Sequence, residues 1–212
     1  MPKNNQRTKD RKLMLSAISK LVIGIAILGA FLFLCGGNFQ YWNAWLYLSV
    51  FALCIFFFGL YLYRTDKELL QKRLNSKEKE KAHDVYTFAA GLSFLATFGT
   101  CGLDYRFGWS HVPLAVVIAA LTVMLGGYGL FVITMMQNRF ASRVVEIQSE
   151  HKVIDSGVYS VIRHPMYTAA LTMFFASPVV LGSYFAVIPM LIFLFGIIMR
   201  IRGYYQSTQG RF

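Results

Sequence analysis

Between Gly157 and Tyr167 the chain reads Gly157-Val-Tyr-Ser-Val-Ile-Arg-His-Pro-Met-Tyr167, which crowds Tyr159, Arg163, His164 and Tyr167 against the start of a long apolar run. The residue before a proline is pushed out of the helical region, and proline suits the first helical position. The spacing therefore predicts a helix beginning at Pro165 with His164 as its cap. Arg163 flanks the mouth of that helix. Unsatisfied N–H groups, the positive end of the helix dipole and an adjacent guanidinium together make a seat for a carboxylate. Tyr167 lies three residues past His164, on the same helical face. Taken alone, Arg163 reads as a membrane-surface anchor, and Tyr is common at that interface. The cluster of Gly157, Tyr159, Arg163, His164, Pro165 and Tyr167 is denser than anchoring requires and points to a site.

The elements that must position this cluster are membrane helices. Of 212 residues, 56% are hydrophobic and only 15% charged, which excludes an ordinary soluble domain with a polar surface. Nineteen phenylalanines and twelve tyrosines suit lipid-facing and interfacial positions. Cys35, Cys54 and Cys101 fall in or at the ends of apolar segments with no CxxC spacing. Neither a metal site nor a disulfide framework is indicated.

Four apolar stretches read as spans: Leu21 to Gly37, with Lys20 placed to snorkel, then Tyr41 to Tyr63, Val85 to Leu103 and Val112 to Met136. Each can cross a core of roughly 30 Å as a helix of about twenty residues. Met166 to Met199 is uncharged and interrupted by Ser177-Pro178 and Leu181-Gly182-Ser183, so it reads as a helical hairpin and brings the spans to six. The polar start followed by a long apolar run, with no small-residue cleavage site, predicts a first span that is retained rather than a cleaved signal peptide. The expected architecture is all-α and polytopic, one integral-membrane domain over residues 1–212. It comprises a basic arm (1–20), four spans (21–136), a loop carrying the site (137–165), the hairpin (166–199) and a short tail (200–212).

Charge placement agrees. The N-terminal arm carries six Lys/Arg, the segment from Arg64 to Asp84 seven, that from Gln137 to His164 four and the C-terminus three, which leaves only Arg106 for the opposite side. The positive-inside rule then places both termini, and the site, in the cytosol. A net charge of +11 is thus explained by topology, with anionic lipid a further attraction and no reason to invoke nucleic acid. The span interiors hold no charge, which disfavours an ion pump or a proton-coupled transporter. Gly91, Gly99, Gly126, Gly127 and Gly129 are expected to let helices pack closely.

Upstream of the cluster lie Asn138-Arg-Phe-Ala-Ser-Arg-Val-Val-Glu146 and His151-Lys-Val-Ile-Asp-Ser-Gly157. The order Glu146, His151-Lys-Val-Ile154, Gly157-Val-Tyr159, Arg163-His-Pro-Met-Tyr167 resembles the signature of the isoprenylcysteine carboxyl methyltransferase family, over about residues 138 to 183. The resemblance implies methyl transfer from S-adenosylmethionine, bound at the cytosolic side, to a hydrophobic or lipid-linked acceptor reached from the bilayer. It implies that Glu146, His151, Lys152, Val153, Ile154, Tyr159, His164, Pro165, Met166 and Tyr167 form the cofactor site, and that Arg200 stands near the acceptor, its alternative being a positive-inside anchor; Arg163, at the mouth of the helix, is the other candidate catalytic residue. The acceptor could be a prenylcysteine-like carboxylate, a phospholipid amine or a small thiol. Glu146 stands where the family often has glutamine. Tyr204 and Tyr205 stand where an acidic pair is expected, so a non-catalytic membrane scaffold is the alternative.

Overall fold

The computed structural model describes residues 3–74, 85–137 and 156–192, together with residue 194. Every regular element among them is helical: α1 Lys3–Gly36, α2 Trp42–Thr65, α3 Lys67–Leu74, α4 Val85–Phe107, α5 Leu114–Gln137, α6 Val158–Val161 and α7 Pro165–Val180. Residues 187–192 are helical again. Three helices are long and apolar enough to cross a membrane, Thr8–Gly36, Trp42–Thr65 and Leu114–Gln137, and Pro165–Val180 is a shorter apolar helix. The chain is a multi-pass membrane protein.

The helix that carries the first expected span, Leu21 to Gly37, starts well before it and runs without a break from Lys3, because no Gly or Pro lies between Lys3 and Lys20 and Lys, Arg, Leu and Met are good helix formers. One expectation is corrected. The hairpin does not break at Ser177-Pro178. Pro178 lies inside α7, one turn from its end, and the turn falls at Leu181-Gly182. There Gly182, at φ +83°, donates to the Val179 carbonyl at 3.0 Å while the Ser183 N–H reaches the Pro178 carbonyl at 2.9 Å. These are the paired bonds of a glycine C-cap, which satisfy carbonyls that the helix end leaves orphaned. The rest of the expected second arm of the hairpin, residue 193 and residues 195–199, and the C-terminal tail with Tyr204 and Tyr205 lie outside the described residues.

The helices form two groups. α1 packs against α4 and α2, while α5 and α7 make the most extensive pair among the described elements. Close approach in each group depends on one glycine. Gly102 of α4 lies against Cys35 and the Gly36 backbone, and Gly127 of α5 lies against Thr172 and Met173 of α7. Of the glycines expected to mediate packing, Gly99 makes ordinary contact with Phe31, whereas Gly91, Gly126 and Gly129 face open space.

The groups are tied at the end away from the basic residues. The Tyr41 hydroxyl lies 2.5 Å from the Leu181 carbonyl and 3.3 Å from that of Cys101, and Asn43 Nδ2 donates to the Val180 carbonyl at 2.9 Å. Asp104, only 1% exposed, accepts from the Ser110 N–H at 2.6 Å, from the Ser110 hydroxyl at 2.7 Å and from the Ser183 hydroxyl. Three donors compensate a carboxylate withdrawn from water. Replacing Asp104 by Asn weakens these charge-assisted bonds while keeping one acceptor oxygen. The expected loss is about 1 kcal/mol, read as a lower thermal midpoint of the detergent-solubilised protein.

Candidate functional site

α5 ends on Gln137, and its side-chain amide turns towards Gly157. Gln137 Oε1 accepts the Val158 N–H at 2.9 Å. Gly157 sits at φ +63° and ψ −126°, a region essentially reserved for glycine. A Cβ there would overlap the Gln137 amide, coming within 2.7 Å of its Cδ. Gly157 is therefore required twice, once for its backbone angles and once for the space that Gln137 fills.

The chain then makes one helical turn, α6. Gly157's carbonyl accepts from the Ser160 N–H at 3.2 Å and from its hydroxyl at 2.7 Å. Ile162 is extended, and His164, at φ −131° and ψ 64°, occupies the N-cap position of α7 with Pro165 at the first helical position, as the dipeptide predicts. The His164 carbonyl accepts from the Thr168 N–H at 3.0 Å and from its hydroxyl at 3.1 Å, but the imidazole makes no capping bond. Its ring faces Tyr167 instead, with centroids 5.9 Å apart and planes 54° apart. Pro165 is buried, Arg163 and His164 are exposed, and Tyr159, Met166 and Tyr167 are half-buried.

The six described site residues, Tyr159, Arg163, His164, Pro165, Met166 and Tyr167, are thus gathered at the foot of α7 beside the end of α5. The other six, Glu146, His151, Lys152, Val153, Ile154 and Arg200, lie outside the described residues. Gln137 is the residue that sequence reasoning missed. It falls at the start of the expected 137–165 loop with no role given to it, and its partner is 21 positions away, beyond the reach of any local pattern.

Chemically, the foot of α7 offers an aromatic pair, an exposed guanidinium and a helix start whose first turn has no acidic residue. Such a corner suits a planar ring together with a carboxylate. Residues 116–204 match the model of the isoprenylcysteine carboxyl methyltransferase (ICMT) family. No curated protein and no solved structure matches the chain at a significant level.

Proposed function

From the ICMT-family domain at residues 116–204, a domain whose family comprises S-adenosylmethionine-dependent methyltransferases, we propose that this protein transfers a methyl group from that cofactor to a lipid-linked acceptor. The observation that carries the proposal is the Gln137 bond to Val158, which fixes the Gly157–Tyr167 stretch against the end of α5, inside the matched region.

The residues present suit the cofactor. Tyr159 and the His164–Tyr167 pair supply flat surfaces for the adenine and electron-rich faces for a sulfonium. The α7 N-terminus suits the cofactor's carboxylate. His151, Lys152, Val153, Ile154 and Glu146 complete the pocket in this proposal, with Pro165 and Met166 forming its floor. When bound, the cofactor supplies a methyl group on a sulfonium, and the acceptor oxygen takes up that carbon as the carbon–sulfur bond breaks, leaving a methyl ester and a neutral thioether.

The acceptor assigned here is a prenylcysteine-like carboxylate. Such a group is ionised at neutral pH, so no base need remove a proton; it needs a cation that holds it in line. Arg163 and Arg200 are given that role. The remaining work of the protein is to align the two reactants and keep water out, since proximity and orientation alone can supply several kcal/mol of the barrier.

Equilibrium binding of S-adenosylmethionine to the detergent-purified protein tests the reading. Saturable binding is expected, weakened at least about tenfold (roughly 1.4 kcal/mol) in Tyr159→Ala and His164→Ala variants whose thermal unfolding is unchanged. Absence of binding by the wild-type protein would overturn it. With labelled cofactor and a lipid extract, a base-labile methyl product is expected. A base-stable N-methyl lipid or a volatile thioether would move the acceptor to a phospholipid amine or a small thiol.

A further inference from the structure

Beyond the ties around Tyr41 and Asp104, an apolar cleft opens between α2 and α5 towards the basic end. Its volume is about 530 Å³, and it is lined from Val50 to Tyr61 on α2 and from Leu125 to Met136 on α5. Side chains bridge it. The Tyr128 hydroxyl donates to the Cys54 carbonyl at 2.6 Å, and Phe58 meets Phe131 edge to face with centroids 6.2 Å apart. Eleven helical steps on each wall make the cleft roughly 17 Å long, about half the thickness of a hydrocarbon core of roughly 30 Å. It is one leaflet deep.

Two cations stand at its basic end. Arg64, exposed, lies three residues beyond Tyr61 on the same face of α2. Arg73, at the end of α3, donates through Nη2 to Met135 Sδ at 3.0 Å, next to the lining residue Met136. α3 is fixed across this end of the molecule. Lys67 pairs with Asp10, Lys20 bonds the Leu74 carbonyl, and buried Leu69 and Leu70 pack with Leu62 and with Phe58, which also lines the cleft.

We propose that the α2–α5 cleft is a binding site for an anionic phospholipid, with an acyl chain between the helices and the phosphate at Arg64 and Arg73. The depth matches one chain of one leaflet. The walls are almost wholly apolar and carry no charge, so they confer no head-group preference, and that preference comes from the guanidiniums, which favour a phosphate with no compensating cation over a zwitterion. The leaflet fits as well. The basic end is the one the positive-inside rule assigns to the cytosol, where anionic lipid is concentrated. This inference is independent of the methyl-transfer reading and stands or falls separately.

The test uses the full chain in nanodiscs of equimolar phosphatidylglycerol and phosphatidylcholine, followed by native mass spectrometry. A retained phosphatidylglycerol adduct is expected, several-fold more abundant than the phosphatidylcholine adduct. Arg64→Gln, a surface change that leaves the core intact, should cut that preference at least twofold, and Leu125→Trp, which fills the cleft, should remove both adducts. Phosphatidylglycerol carrying a photoreactive diazirine on its acyl chain keeps the proposal testable should Leu125→Trp fail to fold. Its cross-links are expected on residues 50–61 and 125–136. Equal retention of the two lipids, cross-links confined to other helices, or displacement of the adduct by a prenylcysteine analogue would each overturn the proposal, the last by giving the cleft to the methyl acceptor.

Discussion

Gly157→Ala is expected to lower affinity for S-adenosylmethionine by about tenfold to a hundredfold while leaving the helical bundle folded. Two costs coincide at this position. A side chain at φ +63° and ψ −126° enters a region that costs about 1–3 kcal/mol for a residue other than glycine, and about 1.4 kcal/mol corresponds to a factor of ten. The new methyl group also strikes the Gln137 amide, the partner that holds Val158. Either the turn changes its angles or Gln137 withdraws, and in both cases Tyr159 shifts relative to His164. Gln137→Leu separates the two causes. It removes the acceptor for the Val158 N–H without straining Gly157, so it should weaken binding less than Gly157→Ala. Binding titrations on the three proteins, with thermal unfolding as the control, decide the matter. Wild-type affinity in Gly157→Ala would show that the turn does not shape the pocket.

Gly102→Ala should be the most damaging small substitution in the bundle. Its Cβ would sit 2.5 Å from the Cys35 Cβ, 3.0 Å from the Gly36 nitrogen and 3.1 Å from the Cys35 carbonyl carbon. Two of these three atoms are backbone, so no rotamer change relieves the contact and α1 must move away from α4. Overpacking of this kind costs about 1–3 kcal/mol, or roughly 2–12 °C in thermal midpoint for a chain of this size. The displacement would also disturb the neighbouring Tyr41–Tyr105 stack, whose centroids lie 4.2 Å apart. Gly126→Ala supplies the contrast. Nothing lies within 4 Å of its added carbon, so the higher helix propensity of alanine should leave stability unchanged or raise it by up to roughly 1 kcal/mol. Equal midpoints for the two variants would remove the argument that Gly102 sets the spacing of α1 and α4.

What the sequence revealed, and what it hid, follows from the range of each interaction. The start of α7 was legible because Pro165 constrains both itself and His164 through bonds one residue long. The turn at Gly182 was legible for a similar reason, although Pro178 could not be placed inside the helix from its type alone. There it costs α7 one i→i−4 bond, close to the end where the Gly182 and Ser183 N–H groups supply the cap bonds. The glycines show the limit. Gly126 and Gly127 are adjacent and identical in composition, yet only Gly127 meets α7, because successive helical residues point about 100° apart and nothing local says which direction holds a neighbour. In sequence alone Asp104 is one acidic residue just past the expected Val85–Leu103 span. Its partners, Ser110 and Ser183, are six and 79 positions away, and that separation hid its role as a tie between the two groups. Gln137 was hidden in the same way.

The Gln137–Val158 bond joins two positions 21 apart in the chain, so a long-range contact anchors the start of the Gly157–Tyr167 stretch to the end of α5. Joining positions that far apart carries a chain-entropy cost that grows as (3/2)RT ln n, and here the cost is met when the chain folds rather than when a ligand arrives. A ligand that binds at the Gly157–Tyr167 stretch therefore meets a stretch already anchored at its start. Loss of that anchor returns the ordering cost to the binding step, which is the form in which Gln137→Leu should be felt.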